Sequence, residues 1–110
     1  MKDHFYIACK IEGGAFTSER TFTIPLSEDV RWQGETEGKL VGTAHLDHLR
    51  TRDKKRLPED EPPYGSTLDG YVLCRKIRAL PDSRLLVEVP SADVIHVSED
   101  AVISVEERGD

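Results

Sequence analysis

Alternation is the feature that most constrains this chain. Phe5, Ile7, Cys9 and Ile11 occupy every second place in one stretch, and Phe22, Ile24 and Leu26 do so in another, with mostly polar side chains between them. A period of two sends one set of side chains to each face of an extended backbone, so both stretches predict half-buried β-strands. His4 to Ile11 is the first strand, closed by Gly13-Gly14, which tolerate positive φ. Thr21 to Leu26 is the second, with Pro25 near its end, and a loose loop joins the two as a hairpin. Lys39 to Ala44 predicts a third.

Tyr71 to Leu80 and Leu85 to Val89, separated by Pro81-Asp82-Ser83, form the clearest hairpin, and Val94 to Val97 and Ala101 to Val105 follow as short strands. Ser27 to Gly38, with four acids and two glycines around Val30 and Trp32, shows neither period and reads as a loop whose tryptophan covers the end of the fold. Thr43 to Leu57 is ambiguous, because Leu46, Leu49 and Leu57 also fit a helical stripe. Seven strands with almost no helix predict an all-β fold, a small SH3-like or related β-barrel with about seven short strands and a long charged loop. One domain spans 1–105, its loop at 50–67 is expected to be mobile, and 106–110 is expected to fray. On strand spacing, Gly70 to Val105 resembles a small SH3-like or Tudor-like barrel, with a long first hairpin, a proline-marked bend and two short closing strands. That resemblance implies a fold and little about function.

A shift of 65 places lays Tyr6-Ile7-Ala8-Cys9-Lys10 over Tyr71-Val72-Leu73-Cys74-Arg75, and Phe22, Ile24 and Pro25 over Val87, Val89 and Pro90. Identity elsewhere is near chance. Two hairpins with the same burial needs explain this match more simply than a duplication does.

Of the 110 residues, 33% are charged, and the formal net charge is −6, which opposes bulk attraction to nucleic acid or to an anionic membrane. No apolar run approaches the ~20 residues of a membrane-spanning helix, and Met1-Lys2-Asp3-His4 does not begin a signal peptide, so the expected location is cytoplasmic. Cys9 and Cys74 are expected to be reduced core residues. Two blocks oppose the overall charge: Leu49 to Leu57 holds five basic residues against one acid, and Gly70 to Arg84 holds four against one.

These blocks supply the candidate binding residues: Arg50, Arg52, Lys54, Lys55 and Arg56 in the first, and Arg75, Lys76 and Arg78 in the second. If the loop folds beside the second hairpin the blocks merge into a cationic patch able to hold phosphates, with Tyr64 or Tyr71 stacking on an unpaired base. Glu59-Asp60-Glu61 follows the first block directly and is the simplest source of its neutralisation. Pro58, Pro62 and Pro63 stiffen the loop toward polyproline II. His45 and His48 would share a face on a helix and could then begin a zinc site, but the sequence places no third or fourth ligand beside them. No nucleophile elbow, phosphate-binding glycine loop or His-Glu-x-x-His motif is present, and no motif implies a cofactor.

The reading these residues support first is a non-catalytic binding module that engages a protein partner through the 49–67 loop and the barrel rim. RNA or single-stranded nucleic-acid binding through the two basic blocks is the alternative, and a metal-binding protein or metal-assisted hydrolase using His45 and His48 is the third. Oligomeric state is not fixed by the sequence.

Overall fold

A computed structural model describes residues 3–13 and 18–105. Gly14 and the tail at 106–110 lie outside them. Nine strands follow in chain order: β1 (His4–Gly13), β2 (Glu19–Pro25), β3 (Val30–Arg31), β4 (Lys39–His45), β5 (Leu49–Thr51), β6 (Thr67–Leu80), β7 (Arg84–Glu88), β8 (Val94–Ser98) and β9 (Val102–Ser104). Single 3₁₀ turns at Leu46–His48 and Glu99–Ala101 introduce β5 and β9. The fold is nearly all β, as the alternation predicts. The two strands missing from the sequence reading, β3 and β5, are two and three residues long, too short for any period to show.

Burial follows parity. β1 buries Phe5, Ile7, Cys9 and Ile11 and turns the intervening residues outward, and β2 buries Phe22 and Ile24 in the same manner. Leu46, Leu49 and Leu57 are all buried, but a 3₁₀ turn, a strand and a loop deliver them rather than a helix. Trp32 packs against the edge of the core as expected.

Every strand pair is antiparallel, and the sheet is a single curled, barrel-like layer. Its hydrogen-bonded path runs β3-β8-β7-β6-β1-β2-β4, while β5 pairs with β6 and β9 with β1. The long strands β1 and β6 lie side by side at the centre, with Ile7 opposite Val72.

Around that pair the registers repeat. Adding 65 turns the β1–β2 pair Lys10↔Thr23 into the β6–β7 pair Arg75↔Glu88. From β4 onward the offset becomes 53: the β2–β4 pair Glu19↔His45 corresponds to the β7–β8 pair Arg84↔Ser98, and Leu49↔Val72 corresponds to Ile7↔Val102. The 3₁₀ turns match as well. His45 caps the first by accepting from the Asp47 amide, and Ser98 caps the second by accepting from the Asp100 amide. The matched hairpins noticed in the sequence are therefore part of a quasi-twofold arrangement of the whole sheet, broken chiefly by extra residues between β2 and β4.

Each half's connector reaches the other half. The longer one, 26–38, carries β3 across to pair with the edge of β8. The shorter one, 90–93, packs on β4: a Cβ at Gly42 would lie 2.6 Å from Ser91 Oγ. One continuous core results, in a flat body of 41 × 39 × 20 Å.

Candidate functional site

The 49–67 segment begins with β5 and then folds back on it. The Thr51 amide donates to the Lys55 carbonyl and the Leu57 amide to the Leu49 carbonyl, which hangs 55–57 on the outer edge of β5 and buries Leu57. The segment's hold comes from backbone hydrogen bonds and from one side chain, Arg20.

Arg20 occupies an inward position on β2 and is 4% exposed, and its counterpart 65 residues on is the buried Leu85. A buried guanidinium needs acceptors for its donors. It donates from Nη2 to the Glu59 carbonyl at 2.6 Å, from Nε to the Glu61 carbonyl at 3.2 Å and from Nη1 to the Glu19 carbonyl at 2.7 Å. Pro62 is buried beside this clamp, and the Glu61–Pro62 peptide is cis. The Ser66 amide then donates to the Pro63 carbonyl and the Gly13 amide to the Ser66 carbonyl. Gly13 is required here: a Cβ would meet the Pro63 carbonyl oxygen at 2.4 Å.

The product is a tight turn, Pro63 to Ser66, with Gly65 at φ 83° in its third place, a conformation that favours glycine. Tyr64 stands at the crown of this turn, 83% exposed. Glu59, Asp60 and Glu61 make no side-chain ion pair among the described residues.

Three basic residues of the first block bond elsewhere. Arg56 Nε donates to Asp47 Oδ1 at 2.9 Å, and that hydrogen bond holds the Asp47 carboxyl below the ordinary aspartate range. Arg52 lies 3.6 Å from Asp69, and Arg50 donates to the Asp47 and Leu49 carbonyls. Lys54 and Lys55 are exposed on the tight turn after β5, where Lys54 adopts φ 65°. In the second block Arg75 pairs with Glu88 at 2.8 Å, Lys76 is half-buried, and Arg78 is exposed next to a β-bulge. β5 lies beside β6 with Arg50 opposite Tyr71, so at ~3.3 Å per residue along β6 that point is ~13 Å from Arg75 and ~23 Å from Arg78.

His45 Nδ1 is occupied as the 3₁₀ cap, and among the described residues no group of three His, Cys, Asp or Glu is placed to hold a metal ion. Both cysteines are free and buried. Burial, reinforced by the nearby Asp69 charge, pushes the Cys9 thiol up to about 12, and burial raises Cys74 further.

Two clefts indent the outer face of the sheet, and sequence reasoning located neither. One, of about 330 Å³, involves His4, His48, Leu73, Arg75, Glu88 and Pro90. The other, of about 490 Å³, involves Ala8, Lys10, Thr23, Lys39, Asp69 and Tyr71, with Arg52 at its rim. The offsets of 65 and 53 carry most of one lining onto the other, so the clefts are quasi-twofold mates. Lys10 and Lys39 went unnoticed because single cations at outward positions of strands carry no sequence signal. No helix among the described residues is long and apolar enough to cross a membrane. Comparison with family models, with curated proteins and with solved structures finds no match for this chain.

Proposed function

We propose that this chain is a non-catalytic interaction module that binds a protein partner through the 49–67 loop and the adjoining rim, with Tyr64 as its anchor. The carrying observation is that the most exposed large apolar side chain among the described residues sits on a turn whose flanks are fixed by Arg20, Pro62 and Gly13. Tyrosine offers a large contact area with few rotors, and a turn already held in place removes part of the ordering cost of binding. The unpaired carboxylates of Glu59, Asp60 and Glu61 beside it call for a partner with an apolar pocket ringed by cations. The strand–strand–strand–3₁₀–strand order of the second half, repeated in the first with β3 inserted, supports the SH3-like description of the barrel. Two reduced thiols favour a cytoplasmic setting.

Deleting 54–64 would remove the buried Leu57 and Pro62, so substitution is the proper test. Tyr64→Ala is expected to abolish co-purification with the partner while leaving the circular-dichroism spectrum unchanged. Retained co-purification by this variant refutes the site.

A further inference from the structure

The two clefts form an internal comparison: similar backbone, different charge. In the smaller, Arg75 lies directly opposite Glu88 across β6 and β7 and is paired with it, so the two charges cancel. In the larger, the corresponding pair is Lys10 opposite Thr23, and the carboxylate is gone. Lys39 stands where the smaller cleft has Ala92, and Arg52 joins from the end of β5. Asp69, in the place of His4, approaches Lys10 at 3.4 Å and Arg52 at 3.6 Å and holds both at the rim. Three cations against one acid remain, a local excess of +2 in a chain whose net charge is −6.

The walls are suited to a flat group. Tyr71 lines this cleft, and its ring packs against Tyr6 with centroids 5.8 Å apart and an interplanar angle of 47°. Gly38 and Gly70 also lie in the lining. A volume of about 490 Å³ lies within the range of small-ligand sites.

We infer that the cleft between Lys10, Lys39, Arg52 and Tyr71 binds a nucleotide, with the phosphate held by the three cations and the base laid on the tyrosine ring. Ring stacking and a cluster of cations are the two elements by which unpaired nucleotides are held without sequence preference. A carboxylate peptide would use the cations alone. The nucleotide is either a free nucleoside phosphate or a unit of a single strand, and the site differs from the cationic patch expected by merging two blocks.

The test is a titration of isotopically labelled protein with AMP, with UMP, with an eight-residue oligouridylate, with inorganic phosphate and with a tetraglutamate peptide. Both nucleotides are expected to shift Lys10, Thr23, Lys39 and Gly70 while leaving Glu88 and Ala92 in place. Tighter binding of the oligouridylate than of UMP identifies a strand as the source, and equal binding identifies a free nucleotide. With three cations on phosphate, affinity for the oligomer should fall about 20-fold between 50 and 200 mM salt, and only about 7-fold in Lys39→Ala. Tyr71→Leu should weaken UMP binding at least about fivefold without affecting inorganic phosphate. Glu88→Thr combined with Ala92→Lys should give the smaller cleft a measurable response to UMP. The inference is overturned if no nucleotide binds at 20 mM salt, if inorganic phosphate or tetraglutamate binds as well as UMP, or if both clefts of the unmodified protein respond alike.

Discussion

Replacing Arg20 by leucine separates the hold on the Tyr64 turn from the core beneath it. The counterpart of Arg20 in the other half is leucine, so the β2 framework should tolerate the side chain. The bond to the Glu19 carbonyl within β2 is lost, and what the turn loses are the hydrogen bonds from a charged donor to the Glu59 and Glu61 carbonyls. At about 2 kcal/mol for each such bond, the loss is about 4 kcal/mol. Burial of the leucine returns about 2 kcal/mol, leaving the turn about 2 kcal/mol less stable. Every 1.4 kcal/mol is tenfold, so hydrogen exchange at the Gly13 and Ser66 amides, both bonded within this region, should accelerate about 30-fold. Amides in the β6–β7 hairpin should exchange at their original rates. Native-state exchange followed by NMR reads both regions in one experiment. Unchanged protection at Gly13 and Ser66 would show that Arg20 does not hold the turn, and the case for a preorganised Tyr64 would fall with it.

Gly70 faces the Arg50 carbonyl so closely that a Cβ would lie 2.3 Å from that oxygen. Gly70→Ala should therefore push β5 off β6 and cost about 3 kcal/mol in urea unfolding, and a cost under 0.5 kcal/mol would contradict the pairing. Asp47 has a carboxyl depressed chiefly by its hydrogen bond from Arg56. Its contribution is present above the unfolded-state pKa and is lost as pH falls through the lowered folded value, so Arg56→Gln should move the NMR titration midpoint of Asp47 upward. With Cys9 raised to about 12 and Cys74 higher still by burial, neither thiol should react with a disulfide reagent at pH 8 until the protein is unfolded. Prompt labelling of the native protein would place at least one of them at the surface.

The strands of the sheet were legible wherever they were long enough to repeat. Phe5 to Ile11 and Phe22 to Ile24 declare their buried face by parity, and the 65-place shift lays that face over the buried Val87 and Val89. The quasi-twofold relation was legible only in part. Its offset changes from 65 to 53 across the 26–38 connector, so one sliding comparison matches β1 and β2 to β6 and β7 but loses β4, β5 and the two 3₁₀ turns. The anchoring of the 49–67 segment was hidden for another reason: Arg20 reads as an ordinary polar residue beside Thr21, and what it holds in this segment are the Glu59 and Glu61 carbonyl oxygens, which no side-chain pattern reports. The larger cleft draws on five separate stretches of chain, so of its lining only Arg52 and Tyr71 read as binding residues in the sequence.

The closing strands are exchanged: β5 of the first half completes its pairing on β6 of the second, and β9 of the second completes its pairing on β1 of the first. Cutting the chain between Lys54 and Tyr64 therefore yields two fragments that each lack a neighbour supplied by the other, and they should reconstitute the protein only when mixed. During synthesis, the Phe5–Ile7 side of the first strand stays an open β-edge, available to other strands, until Val102–Ser104 emerge to pair with it.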